Sequence, residues 1–363
     1  MHIYFKEYDK VTIMVQRINA IIAIMMLIFG SVQAGNPDRQ GQAGASELLM
    51  NPWGRSAGLH SMTTSSAMGV EAMRINIAGL SRIRNIEIGV SHSRLFSGSG
   101  MNLISGALGF KMGKSGALGF EFVSLDFGQI PVTTVNQPAG TGGFFSPSFV
   151  QLAAGYSYTY ANKISVGLLA RLVNEGIQDV TATGIAIDAG VQYVSGPKDN
   201  FKLGISLRNV GSPMEFGGEG LSVKNPNTDP AGGVIYELTY DARAASFELP
   251  SMLNMGVSYD FYFGDKNFLR SLVNFTSNAF SRDQIGAGLE FSFQDLVTFR
   301  AAYKHDIGDT SVETRNIYSG FSAGASFETS LTKGGPNNLG IDYAYRTTNP
   351  FKGTHNFTLR FSF

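Results

Sequence analysis

The chain has no cysteine, which excludes disulfides, cysteine–zinc sites, thiol catalysis and a lipidated N-terminal cysteine. Charge is sparse. Asp, Glu, Lys and Arg make up 15 % of the 363 residues, where soluble domains carry about 25 %. Neither sign is in excess, with 28 acidic and 28 basic residues, and no basic block stands out. Nothing therefore points to nucleic acid as a partner. Histidine is scarce too. The five, His2, His60, His92, His305 and His355, include no pair at metal-ligand spacing, so neither a metal nor any other cofactor is expected. Beyond one stretch near the N-terminus, no apolar run approaches the roughly 20 residues that a membrane-spanning helix needs. At 43 % apolar the chain is also too hydrophobic for disorder.

The early stretch has a use of its own. Lys10 and Arg17 precede the apolar run from Ala20 to Phe29, and Gly30-Ser31-Val32-Gln33-Ala34 follows with small side chains. This reads as a signal peptide over residues 1–34, cleaved after Ala34. Met14 to Ala34 is already a complete signal.

From about residue 84 onwards the chain alternates with period 2. Phe201, Leu203, Ile205 and Leu207 are interleaved with Lys202, Gly204, Ser206 and Arg208. Ile285, Ala287, Leu289, Phe291 and Phe293 are interleaved with Gly286, Gly288, Glu290 and Ser292. That is the pattern of strands. The segments run about 9 to 13 residues, longer than the usual 5 or 6 and suited to tilted membrane strands of roughly 9 to 11. About fourteen are expected, near 85–96, 102–112, 116–126, 148–160, 163–175, 180–194, 200–210, 251–263, 267–279, 283–293, 296–306, 316–328, 337–347 and 355–363. Short connections such as 113–115, 161–162, 196–199, 264–266 and 294–295 contrast with long ones at about 127–147, 211–250 and 307–315. Outer-membrane barrels have short periplasmic turns and longer outer loops. The expected fold is therefore all-β: a transmembrane antiparallel β-barrel over 84–363 in the cell outer membrane. Residues 234–241 are assigned to the long outer loop. Ser105-Gly106-Ala107-Leu108-Gly109-Phe110 recurs as Ser115-Gly116-Ala117-Leu118-Gly119-Phe120, which suggests a hairpin around Gly113.

Residues 35–83 lack sustained alternation. Leu48, Leu49, Trp53 and Leu80 give them enough apolar surface to pack, so a plug-like or periplasmic segment is expected. The last strand places Phe357, Leu359, Phe361 and Phe363 on one face. A barrel must close or expose unpaired backbone to lipid, and a terminal strand ending in phenylalanine resembles the signal read by barrel-assembly machinery.

No catalytic set emerges, so no enzyme is expected. Gly320-Phe321-Ser322-Ala323-Gly324 fits a nucleophile elbow, but that motif needs a strand followed by a helix and here lies inside an alternating strand. Lumen-facing charges are Arg171, Asp188, Lys202, Arg208, Glu290, Arg300, Asp342, Arg346 and Arg360. Mutual pairing is favoured over a selectivity lining, because unpaired polar groups inside a narrow barrel are costly.

Several motifs resemble one family. They are Ser46-Glu47-Leu48-Leu49-Met50-Asn51-Pro52-Trp53-Gly54-Arg55, Gly69-Val70-Glu71-Ala72 and Asn76-Ile77-Ala78-Gly79-Leu80 near the N-terminus. In a first loop stand Ser124 to Thr134, Gln137-Pro138-Ala139-Gly140 and Phe145-Ser146-Pro147. In a second stand Asn209-Val210-Gly211-Ser212-Pro213-Met214 and Gly217 to Leu221. Together they resemble the PorV/PorQ-type outer-membrane family. Ile77 stands where that family has proline, which would fix the backbone of the turn. The resemblance implies a barrel similar to the long-chain fatty-acid transporter. It also implies a part in type IX protein secretion, with partners among cargo proteins carrying a C-terminal signal domain, translocon and attachment-complex proteins, and outer-membrane lipid. It marks Arg55, Glu71, Asn76 and Gly79 as the plug motif. Partner contacts are expected at the loop residues Ile130, Pro131, Val132, Thr133, Pro138, Phe144, Phe145, Pro213, Met214 and Phe216, where apolar tips supply buried area. The alternative is a transporter of hydrophobic small molecules, since fold alone does not decide function.

Overall fold

A computed structural model describes residues 36–227, 236–308, 315–331 and 337–363. The expected signal peptide and most of the loop at 307–315 lie outside these. In chain order the strands are β1 (Ile86–Arg94), β2 (Asn102–Met112), β3 (Gly116–Asp126), β4 (Ile130–Pro131), β5 (Phe144–Phe145) and β6 (Ser148–Tyr160). Then come β7 (Ile164–Ile177), β8 (Val180–Ser195), β9 (Phe201–Gly211), β10 (Ser222–Asn227), β11 (Tyr236–Asp241) and β12 (Met252–Tyr262). The last six are β13 (Phe268–Asn278), β14 (Gln284–Phe293), β15 (Val297–Asp306), β16 (Gly320–Ser330), β17 (Asn338–Arg346) and β18 (Thr354–Ser362). All but β4, β5, β10 and β11 close into one barrel, in which β18 pairs with both β17 and β1. These are the fourteen strands the alternation predicts, with ends shifted by a few residues. The largest shift is at β16, expected from 316 and observed from Gly320.

Burial along these strands is the reverse of a soluble protein's. In β1 Val90 is 51 % exposed while Ser91 and Ser93 are buried, and in β18 Leu359 is 45 % exposed while Asn356 and Thr358 are buried. An apolar outside and a polar inside suit a sheet whose outer solvent is hydrocarbon. The short connections 113–115, 161–162, 196–199, 264–266 and 294–295 lie at the end where β18 finishes. The long ones lie at the other, which also holds the two-residue turn of Gln178 and Asp179. This places the end of β18 on the periplasmic side. Ala161 and Asn162 both take positive φ (49° and 58°), as do Gln294 and Asp295 (55° and 54°). That is the two-residue turn whose twist matches the flanking strands. The repeated Ser-Gly-Ala-Leu-Gly-Phe halves face each other across Gly113, with Gly109 opposite Gly119. Tyr236–Asp241 lies in the long outer loop, where it pairs with β10 as a hairpin separate from the barrel.

Residues 36–83 run the other way through the barrel. The Asn36 amide donates to the Ser281 carbonyl (3.3 Å) and the Gly44 amide to Glu248 (3.1 Å), both at the outer end. The chain then descends through short helical turns at Ser46–Leu49, Gly54–Ala57, Ala72–Ile75 and Ile77–Arg82. It leaves at the periplasmic end, where the Lys111 amide donates to Asn85 (2.7 Å). Inward glycines let this inner segment lie against the wall. A Cβ at Gly204 would meet the Thr64 carbonyl oxygen at 2.2 Å, and one at Gly190 would meet Asn76 Oδ1 at 2.0 Å.

Candidate interaction site

The lumen is occupied. Trp53, Leu59, Met62, Met73 and Leu80 are fully buried, and Met73, Ile77, Leu80 and Ile83 pack on Ala117, Ala153 and Leu169 of the wall. Polar wall residues hold the inner segment by backbone carbonyls that its own short turns leave unpaired. Asn356 Nδ2 donates to the carbonyls of Asn51 and Pro52 (both 3.0 Å). Gln192 Nε2 donates to Thr64 (3.1 Å) and Ala67 (3.0 Å), and Ser206 Oγ to Ile75 (3.0 Å). Ser322, the serine of the elbow-like motif, donates to the Gly58 carbonyl (3.1 Å) and so serves packing.

The plug-motif residues meet one another only in part. Arg55 and Glu71 form an ion pair. Asn76 caps the turn Ile77–Arg82, accepting from the Ala78 amide (3.2 Å), and donates to Val191 and Ile205 of the wall. Gly79 is buried where a Cβ would strike the Ala67 carbonyl oxygen at 2.0 Å. Ile77 opens that turn and packs in the apolar cluster.

The lumen charges pair, as favoured from the sequence. Arg171 binds Glu121 (3.1 Å) and Asp188 (2.6 Å). Lys202 and Arg270 share Asp260, Arg270 and Arg300 share Glu290, and Arg360 binds Asp342 (2.7 Å) and Glu328 (3.4 Å). Arg208 lies 3.9 Å from Asp188 and also donates to the Leu48 carbonyl. Arg346 departs from the pattern. It has no carboxylate partner among the described residues, donating to the Asn51 carbonyl (2.9 Å) and lying over the Tyr318 ring (4.4 Å). Glu121, Asp260 and Arg270 were not singled out in the sequence. Tight turns would have shown the last: Asp260 and Arg270 stand five residues either side of Asp265, and face each other.

Two hollows remain. One, of about 760 Å³, opens to the periplasm between the inner segment and the wall from β9 to β18, and is lined by Arg55, Glu71, Arg82, Lys202, Asp260, Arg270 and Glu328 among others. The other, about 710 Å³, is an apolar groove in the lipid-facing surface bounded by Val90, Phe120, Phe122, Leu152, Leu172 and Ile185.

At the outer end, β4 and β5 pair as Ile130 with Phe145 and Pro131 with Phe144. The Val132 amide donates to Gly143 (2.9 Å) and Thr141 Oγ1 to the Val132 carbonyl (3.0 Å). Ile130, Pro131, Thr133, Pro138 and Phe144 are exposed, and Val132 and Phe145 half-buried. Val135 at the tip, which the sequence did not mark, is 99 % exposed.

The second loop corrects one expectation. Pro213 is exposed, but Met214 is fully buried. Its backbone exchanges hydrogen bonds with Phe247 (2.9 and 2.8 Å), which turns the side chain inward over Gly184. Phe216 is half-buried, its ring 5.6 Å from that of Phe247. These two cap the lumen together with Leu48, Phe149 and Leu249. Beyond them the β10–β11 hairpin exposes Val223, Leu238 and Tyr240 on one face, with Lys224 and Glu237 paired diagonally (3.8 Å) on the other. No hydrogen bond joins the two loop sets among the described residues. Phe357, Leu359 and Phe363 face outward on the closing strand, with Phe361 half-buried.

This chain is an outer-membrane β-barrel. No protein-family model matches the sequence, and no curated protein does. The fold is similar to that of solved hydrocarbon channels. The monoaromatic hydrocarbon channel CymD aligns at a TM-score of 0.52 with 14 % identity, covering 85 % of this chain and 96 % of that one. The P. putida toluene transporter TodX aligns at 0.51 with 13 % identity, covering 86 % and 98 %. At such identity the likeness shows the architecture alone.

Proposed function

We propose that this barrel binds protein partners of type IX secretion through its extracellular loops and is not an enzyme. The observation that carries this reading is a filled lumen beneath loops with exposed apolar tips. Ile130, Val135 and Phe144 on the first loop, and Val223 and Tyr240 on the second, stand in water outside the lipid belt. Apolar residues grouped on such a surface mark contact sites. The partner would be a cargo protein with a C-terminal signal domain or a component of the translocon.

Deleting residues 129–146 tests it. Ser146 Oγ donates to the Gly128 carbonyl at 2.8 Å, so the ends of the excised segment already meet and the barrel should still assemble. Cargo and translocon proteins recovered with the wild type from solubilised outer membranes should be lost. Their unchanged recovery would sink the reading.

A second reading, transport of hydrophobic small molecules, is the one that the comparisons favour, because the solved structures of like architecture are a monoaromatic hydrocarbon channel and a toluene transporter. The apolar groove in the wall adds a surface such a molecule would meet. A strain lacking the barrel separates the two: a defect in hydrocarbon or fatty-acid uptake with normal secretion would select transport.

A further inference from the structure

The periplasmic mouth is electrically lopsided. Residues 82–86, 111–115, 160–164 and 196–200, which form it from β1 round to β9, contain Arg82, Arg84, Lys111, Lys114, Lys163 and Lys198 against a single carboxylate, Asp199. The opposite arc, counted over the equivalent described residues of its turns, carries no such excess: Lys266 stands against Asp265 and Asp295. Repulsion among like charges is costly unless something offsets it. For the cations other than Arg84, internal partners do so only in part. Lys163 takes Asp199 (2.6 Å), Lys111 donates to the Ser81 carbonyl, and Lys198 lies 5.2 Å from the Tyr262 ring centre. Arg82 Nη2 is buried without a hydrogen-bond partner.

Four of these cations face the aqueous mouth, and Lys114 and Lys163 stand in the turns at its rim. Arg82, Arg84 and Lys198 line the 760 Å³ vestibule, and Lys111 reaches inward to the inner segment. A bilayer headgroup would meet the outer surface of the rim, so the geometry favours a water-borne polyanion. Its extent follows from the arc. From the β2–β3 turn to the β8–β9 turn is four strand spacings, roughly 19 Å. An extended chain covers that in about six residues. A single phosphate or carboxylate would touch only one end.

We infer that the basic arc of the periplasmic mouth is a docking site for an acidic, extended segment of a periplasmic protein. It is separate from the extracellular loops and does not rest on the function proposed for them. The ends of the arc would set the register of the bound segment, and the vestibule would admit its side chains.

Fluorescein-labelled decaglutamate, titrated against the detergent-purified full chain and followed by anisotropy, tests this. Binding should weaken as salt rises, and Lys114→Gln, Lys163→Gln and Lys198→Gln together should weaken it by roughly tenfold or more. Asp265→Asn with Asp295→Asn on the opposite arc should change it by less than about twofold. Both variants alter exposed turns, and heat-modifiable migration in gels confirms that each is folded. Binding no better than that of a glycine–serine decapeptide overturns the proposal, as does equal binding by the triple variant. Phosphatidylglycerol that co-purifies with the wild type and is lost from the triple variant, without peptide binding, also overturns it and makes the bilayer the occupant.

Discussion

On the wall formed by β3, β6 and β7 the inward positions include Ala117, Gly119, Ala153, Gly155, Gly167 and Leu169, and residues 73–83 press against them. On the wall from β12 to β15 the inward positions at the same depth are Asp260, Arg270, Glu290 and Arg300, each opposite the next in the ladder. Both walls come from one alternating pattern with a lipid-facing apolar side. They differ in side-chain volume and charge on the other side. Small residues let the inner segment come within van der Waals distance and exclude water. Long charged residues hold it off, and the vestibule opens in the gap. The first wall also carries charge, but there it is drier. The side chains of Arg171 and Glu121, with Asp188 of the adjoining β8, are at most 4 % exposed, whereas Arg270 reaches 10 % where it meets the vestibule. Near the periplasmic end the inner segment is thus sealed against the first wall and borders water at the second. Farther up, Leu59 and Met62 pack on Leu272 and Ala302 of the second wall too.

The sharpest way to break this comparison is to cut one ion-pair cluster on each side. Arg171 binds two carboxylates and the Met73 carbonyl (2.6 Å) with no solvent to replace it. Arg171→Ala leaves Glu121 and Asp188 charged and buried, and removing one partner of a buried pair costs about 3–5 kcal/mol. A fall of that size in urea stability, measured in micelles by loss of heat-modifiable migration, is expected. A loss below about 1 kcal/mol, the range of exposed pairs, would show that water reaches the first wall.

How far all this could be read in the sequence depends on which interaction fixes each part. The strands were legible because lipid on one face and lumen on the other impose period 2 on every one of them. The tight turns were legible for the same reason, since they interrupt it. Across such turns even some lumen pairs can be counted out, as with Glu290 and Arg300 either side of Asp295. The inner segment was not legible beyond its composition. Its turns are too short for helical periodicity, and its path is set by wall residues distant in sequence, such as Gln192, Ser206 and Asn356. Arg55 and Glu71 stood out as motif residues, yet nothing in their spacing said that they pair. Met214 shows the same limit in a loop. It reads as an exposed apolar tip until Phe247, from the far end of that loop, pairs with its backbone and turns it inward.

The second cut is Arg270→Ala. Here the carboxylates are shared: Asp260 keeps Lys202, Glu290 keeps Arg300, and the vestibule supplies water. The loss should be only about 1–2 kcal/mol, between the values for exposed and buried pairs. A loss equal to that of Arg171→Ala in the same urea titration would erase the distinction between the walls.

The smallest effect belongs where the ladder reaches the mouth. Glu328 binds Arg360 at 3.4 Å, and its side chain is 40 % exposed, while Arg360 keeps the shorter contact with the buried Asp342. Glu328→Gln therefore removes a redundant, hydrated partner, for which exposed pairs give about 0–1 kcal/mol. Salt discriminates further. Screening acts on charges in contact with solvent, so the small difference between Glu328→Gln and the wild type should vanish as salt is added, whereas the Arg171→Ala deficit should persist. If both deficits shrank together, the two clusters would share one solvent environment, and the segment 73–83 would not be sealing the wall it packs against.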